Sequence, residues 1–180
     1  IRSDVVLLVI DAEKGFTKQE KTIASEIIRR GKRMVILVNK WDLTANKNIS
    51  AEIFKDEMFH EFHLLQFYPI LFVSALTKRR ISNILSETWT VFEKQRDKIG
   101  TKALNEWLVK AVRKYPPPAL QGKSIKLKFV DQVQYSPPIF AFFCNYPKLI
   151  TVAYKRYLHN QIREHFDLDG ITIKLSVRKG

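Results

Sequence analysis

The chain has one cysteine, Cys144, which excludes an internal disulfide and makes a reducing compartment the simpler home. It has no run of about 18 apolar residues, so a membrane-spanning helix is excluded. Its Arg- and Asp-punctuated start, IRSDVV, lacks the three-part pattern of a signal peptide. Acidic residues are scarce, with 18 Asp and Glu against 31 Lys and Arg, a net charge of +13. Glycine is scarce too. Gly15, Gly31, Gly100, Gly122, Gly170 and Gly180 include no pair with the G-x-x-x-x-G-K-[ST] spacing of a phosphate-gripping loop. They include no G-x-x-G clamp for single-stranded nucleic acid either. His159 and His165 form no metal-ligand cluster with Cys144 or any carboxylate set. Asp4, Asp11 and Glu13 could suggest a carboxylate site, and Asp11 ends a strand, but no nucleophile-and-base arrangement accompanies them.

What is present is a chain of 180 residues, enough for one large or two small domains. Apolar residues make up 46% and include 12 Phe, 6 Tyr and 3 Trp, ample for real cores. The charge is uneven. Residues 1–96 hold 16 basic and 12 acidic residues, whereas 97–180 hold 15 and 6. The second part, at +9, is therefore the polyanion-facing half.

VVLLVI (5–10) reads as a strand covered on both faces. Thr17 with Glu20 has capping-box spacing for a helix running to about Arg30, with Gly31 as its stop. MVILVN (34–39) is a second buried strand. A polar break with Asn46 and Asn48 leads to Ser50 and a helix through Ile53, Phe54, Phe59 and Leu64. ILFVS (70–74) is a third strand, and Ile81, Ile84, Leu85, Trp89 and Phe92 recur at helical spacing. This alternation implies an α/β domain with a parallel sheet, whose ligand sites lie at the C-terminal strand ends. Beyond the charged connection at 94–102, Leu104, Trp107, Leu108, Ala111 and Val112 mark a helix stopped by Pro116–Pro118. Ile125, Leu127 and Phe129 alternate with Lys126, Lys128 and Val130 as a half-buried strand. YSPP (135–138) is a turn, IFAFFCN (139–145) a central strand, 149–166 a helix and ITIKLSV (171–177) a closing strand. The order helix–strand–strand–helix–strand is a small α+β sandwich.

The strand ends carry the chemistry. In VILVNKWDL (35–43), Asp42 can accept two hydrogen bonds from adjacent N–H donors, which guanine presents at its ring N1 and exocyclic amine and adenine does not. Asn39 can donate its amide to a ring nitrogen and tie loops together. Lys40 can lay its stem across the base. Backbone N–H groups near Ser74 and Ala75, ahead of Leu76, could meet the base carbonyl. The bland alternatives stand beside these: Asn, Lys and Asp are common turn residues after a strand, and Ser74 could simply cap the next turn. Tyr154, Tyr157 and Trp107 read as core or interdomain aromatics rather than stacking platforms.

The chain resembles the bacterial double-GTPase family known as Der or EngA, ribosome-assembly factors with two tandem G domains and a KH-like domain. The matching residues are RSDVVLLVIDA (2–12), Gly15-x-Thr17-x-Gln19, GK (31–32), VNKWDL (38–43) and VSAL (73–76). Further matches are LNEWL (104–108), PPP (116–118), GKSIKLKF (122–129), PP (137–138), F-x-x-F-x-N-x-P (140–147) and YKRYLHNQIREHF (154–166). The resemblance implies that 1–96 is the later half of the second G domain, a partial P-loop-GTPase sheet with flanking helices, and 97–180 the KH-like domain. It implies GTP or GDP with Mg²⁺ in the intact parent, bound here through Asn39, Lys40, Asp42, Ser74, Ala75 and Leu76. The phosphate loop and both switches would lie upstream of Ile1, so those upstream segments are partners and no residue of this chain is expected to be catalytic or to bind metal. One departure is Lys78–Arg80, where the family usually has a glycine; if that loop shapes the base pocket, Lys78 alters its geometry.

For the second part the resemblance implies a cytoplasmic partner, the large ribosomal subunit or its RNA, and no membrane. Candidate RNA-backbone contacts are Lys123, Lys126, Lys128, Lys155, Arg156, Arg163, Lys174 and Arg178, acting by phosphate neutralisation. For any one of them a solvated surface residue is the plainer reading. The chain alone is expected not to hydrolyse GTP, and its truncated sheet to risk self-association. The alternative is a non-enzymatic nucleic-acid-binding or interaction module.

Overall fold

In the computed structural model the described residues are 3–47, 49–94 and 98–180. They form two compact units, Ile1–Lys94 with Asp169–Thr172, and Gln95–Leu168 with Ile173–Gly180. The division expected between 96 and 97 falls on residues outside the described ones, as does Asn48 of the expected polar break.

The first unit is an α/β layer structure. Strands β1 (Val5–Asp11), β2 (Arg33–Asn39) and β3 (Ile70–Phe72) lie parallel in the order β1-β2-β3. Helices α1 (Lys18–Arg29), α2 (Ala51–Glu61) and α3 (Ser82–Glu93) connect or follow them. The capping box opens α1: the Thr17 N–H donates to Glu20 Oε2 at 3.1 Å and the Gln19 N–H to Thr17 Oγ1 at 3.3 Å. Gly31, at φ 71°, ends that helix. Ser50 caps α2 by accepting from the Ile53 N–H at 3.2 Å. This helix is shorter than its periodicity suggests: it stops at Glu61, and Leu64 lies in a separate 3₁₀ turn, His63–Phe67.

Alternation within β1 and β2 sends residues to two faces. Leu8, Ile10, Met34, Ile36 and Val38 join α1 and α2 residues in one core, with Phe54, Met58 and Leu65. Val35 and Leu37 join Val73 and Val91 in a smaller core under α3. One helix cannot cover all of that second face. Leu7 and Val9 are 40% and 55% exposed, so β1 is not covered on both faces, whereas β2 is. On α3 the inward residues are Val91 and Ile84, while Leu85 and Trp89 point outward at 78% and 62% exposure. The segment Asp169–Thr172 belongs to this unit: the Gly170 N–H donates to the Phe67 carbonyl at 2.8 Å, and the Gly170 carbonyl accepts from Met34 at 3.0 Å. The first residues expected in the closing strand, Ile171–Ile173, are buried but outside it.

The second unit runs α4 (Thr101–Lys114), β4 (Leu127–Tyr135), β5 (Pro138–Cys144), α5 (Val152–Phe166) and β6 (Lys174–Lys179). β4 and β5 are antiparallel, β5 and β6 parallel, in the order β4-β5-β6. Leu104, Trp107, Leu108 and Ala111 form the buried stripe of α4. The strand alternation slips at a bulge between Leu127 and Phe129. An extra residue there turns the following side chains over. Val130 is therefore buried and Phe129 outward, stacked on Phe143 with ring centroids 4.2 Å apart. Trp107 and Tyr154 are core residues, and the Tyr154 and Tyr157 hydroxyls donate to the carbonyls of Tyr115 and Ala111 at 2.9 and 2.8 Å. No helix among the described residues is long and apolar enough to cross a membrane.

Candidate functional site

The C-terminal ends of β2 and β3 build a pocket of about 530 Å³ lined by Asn39, Lys40, Asp42, Leu43, Ser74, Ala75 and Leu76. All six residues read from the sequence as base-binding are therefore together. The turn that holds them is anchored on Trp41. Its N–H donates to the Val73 carbonyl at 3.0 Å, and its ring packs 4.3 Å from Phe72 and 5.7 Å from Phe54, centroid to centroid. Lys40 takes the left-handed conformation at φ 61°, which reverses the chain after β2 and delivers Asp42 into the first turn of a 3₁₀ helix.

Asp42 Oδ1 is buried and has no hydrogen-bond partner among the described residues. A buried acceptor left unpaired costs about 1–3 kcal/mol, more for a charged group, so it marks a place where a donor belongs. Asn39 uses its oxygen to tie the two loops, accepting from the Ala75 N–H at 3.0 Å. Ser74 Oγ accepts from the Thr77 N–H at 3.1 Å, and the Ser74 N–H donates to the Arg79 carbonyl at 3.2 Å. Ser74 thus caps its turn, the plainer of its two roles. The two backbone donors expected to face a base carbonyl, those of Ser74 and Ala75, are already engaged within the protein. Leu76 is 85% exposed at the rim.

Lys40 reaches back to the end of β1, where its Nζ lies 2.7 Å from Asp11 Oδ2. Asp11 Oδ1 also accepts the Glu13 N–H at 2.9 Å. The hydrogen bond from Lys40, then that from Glu13, holds the Asp11 carboxyl below its ordinary value, and Asp11 in turn raises Lys40. Asp11 is therefore the positioning partner of Lys40, a role its place at a strand end hinted at and its sequence distance concealed. The loop departing from the family pattern is closed by a Ser74–Arg79 bridge, with Lys78 at φ 59° and Arg80 at φ 58°. Both sit where glycine is favoured, at a cost of about 1–2 kcal/mol each for a side-chain-bearing residue.

In the second unit, Lys123, Lys126, Lys128, Lys155, Arg156, Lys174 and Arg178 are exposed. Arg163 is not: it is 4% exposed and donates from Nη1 to the Leu168 carbonyl at 2.9 Å. Its guanidinium finishes the end of α5, so Arg163 is withdrawn from the RNA-contact set. Lys128 donates from Nζ to the Gly180 carbonyl at 2.7 Å.

A family profile described as the KH-domain-like region of EngA bacterial GTPase enzymes, C-terminal, matches residues 98–178. One described as the elongation factor Tu GTP binding domain matches residues 2–116, more than half of the chain. The chain is 41% identical to the GTPase Der of Flavobacterium johnsoniae over 98% of its own length and 40% of that protein's. It is 42% identical to the GTPase Der of Lactobacillus acidophilus, over 99% of this chain and 41% of that one. For the GTPase Der of Fusobacterium nucleatum the figures are 42% identity, 97% and 40%. The chain thus spans about two-fifths of the length of the curated relatives it matches. It belongs to the elongation factor Tu GTP-binding domain family and is a homologue of the bacterial Der (EngA) GTPases, carrying their KH-like segment.

Proposed function

We propose that the chain supplies the guanine-recognition half of a nucleotide switch and an RNA-contacting KH-like arm, within a Der-type ribosome-assembly GTPase of the cytoplasm. The observation that carries this reading is the buried, unpartnered Asp42 Oδ1 in a pocket shared with Asn39, Lys40 and Leu76. Guanine offers two adjacent N–H donors to that carboxylate, and adenine leaves it unpaired. With the Asn39 oxygen held by Ala75, its amide nitrogen is the group that donates to a ring nitrogen. Lys40, tethered to Asp11, lays its stem along the base plane.

In an intact Der-type protein, hydrolysis of GTP by water would draw on a metal ion and backbone N–H groups to stabilise the developing phosphate charge. The sequence has no phosphate-gripping spacing, and no group of three or more His, Cys, Asp or Glu among the described residues fits a metal ion. Segments upstream in the polypeptide supply the phosphate and Mg²⁺ site, pairing with the open edge of β1. The basic unit neutralises RNA phosphates on the large ribosomal subunit, with affinity that falls steeply with salt. A second reading, a nucleic-acid-binding module with no active switch, rests on the missing phosphate loop alone.

Co-sedimentation with purified large subunits across a salt series tests the RNA-contacting role. Binding is expected to weaken as salt rises and to be lost in Lys126→Glu/Lys128→Glu. Salt-independent binding, or binding unchanged by the double reversal, overturns it.

A further inference from the structure

The second unit holds a pocket of about 710 Å³ lined by Gln121, Lys123, Asn145, Tyr146, Pro147, Lys148, Leu149 and Lys179. We propose that this pocket takes a single unpaired nucleotide of RNA, its base on Tyr146 and its flanking phosphates on Lys123, Lys148 and Lys179. The inference rests on the RNA-contacting reading of this unit and adds a specific mode of grip to it.

Four observations converge here. The lining includes three lysines and no carboxylate, and the pocket's volume lies within the roughly 300–1,000 Å³ of small-ligand sites. Tyr146 is 38% exposed, unlike Trp107 and Tyr154, which are spent on the core. Lys123 Nζ lies over the Tyr146 ring, 5.1 Å from its centroid, so an incoming base takes that face as the flexible lysine moves out to a flanking phosphate. Pro147 and Leu149 add an apolar wall suited to a base and unsuited to a bare phosphate.

The scaffold beneath is built rather than incidental. Asn145 accepts from the Lys126 N–H at 2.8 Å and donates to the Ser124 carbonyl at 2.9 Å, fastening the segment after Lys123 to the end of β5. The Leu120–Lys123 bridge closes a tight turn through Gln121 and Gly122, at φ 53° and 69°. That turn presents Lys123 over the ring. Lys179, at the end of β6, is held in register with Cys144 next to Asn145. A sequence-tolerant stacking site with phosphate contacts follows, which needs no G-x-x-G loop.

Fluorescence anisotropy of the full chain tests this with a labelled six-nucleotide oligouridylate and a matching abasic ribose-phosphate hexamer. The uridylate is expected to bind more tightly, and Tyr146→Ala to weaken it by about 5- to 100-fold while leaving the abasic strand unchanged. Tyr146→Phe retains the stacking face and is expected to retain binding, which separates lost stacking from lost folding. Lys148→Gln/Lys179→Gln is expected to weaken both strands and reduce the salt slope by about 1.4. Equal affinity for the two strands, no effect of Tyr146→Ala, or displacement of the RNA by a hexaglutamate peptide at lower concentration than by unlabelled RNA overturns the proposal. If Tyr146→Ala is silent while Lys126→Glu/Lys128→Glu abolishes subunit binding, the pocket falls and the broader RNA reading stands; if both are silent, both fall.

Discussion

Replacing Gly170 by alanine should destabilise the first unit far more than such a small change ordinarily does. Gly170 sits at φ +81°, and an added Cβ would lie 2.6 and 2.8 Å from the two methyl groups of Val91 and 3.3 Å from Pro69 Cδ. Retreat is blocked, because its N–H and carbonyl are both engaged, with Phe67 at 2.8 Å and Met34 at 3.0 Å. The left-handed conformation costs about 1–2 kcal/mol for a residue with a Cβ, and overpacking a tight core about 1–3 kcal/mol. A stiffer unfolded chain returns about 0.4–1 kcal/mol. The net expectation is a loss of about 2–4 kcal/mol. Urea titration followed by the ¹H–¹⁵N signals of first-unit residues such as Met34 and Phe67 measures it, together with Val91→Ala and the double variant. Making room at Val91 should relieve the clash, so the double variant should be more stable than the sum of the single losses by about 1–3 kcal/mol. A Gly170→Ala cost below about 1 kcal/mol, or a cycle additive within about 0.5 kcal/mol, would refute the packing argument.

Two further expectations concern the pocket. Asn39→Ala removes the acceptor of the Ala75 N–H, so amide exchange at Ala75 should rise and stability fall by about 0.5–1.5 kcal/mol; unchanged exchange at Ala75 would remove Asn39 as the tie between the loops. Asp11 has its folded pKa depressed below the ordinary 3.8, chiefly by Lys40. The contribution of the Asp11–Lys40 pair is thus complete above that value and lost as pH falls through the lowered one. A ¹³C titration of the Asp11 carboxyl should show a midpoint below 3.8 that moves up in Lys40→Met, and a midpoint at or above 3.8 in the unsubstituted chain would count against the pair.

Much of this architecture is legible in the sequence, because its signals are local. The Thr17–Glu20 capping box, the Ser50 cap, the parallel β1-β2-β3 alternation and the α4 stripe depend on spacing a few residues long. The errors arise where distant parts decide. The outward positions of Leu85 and Trp89 depend on how far α3 reaches across the sheet. The turnover of Phe129 follows from one extra residue opposite β5, invisible in an apolar–polar alternation that reads smoothly through Lys128. The assignment of Asp169–Thr172 to the first unit rests on contacts with Phe67 and Met34, more than a hundred residues away in sequence. Arg163 looks like any basic helix residue until its guanidinium is found on the Leu168 carbonyl. Asn39, Asp42 and Ser74, grouped by the strand-end pattern, line one pocket, whereas the use of the Ser74 and Ala75 N–H groups by Arg79 and Asn39 depends on the conformation of the two loops.

The most direct test of the guanine reading is a ¹H–¹⁵N titration of the chain with guanosine, adenosine and xanthosine, repeated on Asp42→Ala. Guanosine should shift signals from Asn39 to Leu43 and from Ser74 to Leu76. Adenosine should leave them in place, and Asp42→Ala should abolish the guanosine response. Equal shifts with adenosine, or a guanosine response that survives Asp42→Ala, would contradict the assignment of Asp42 as the base-reading residue.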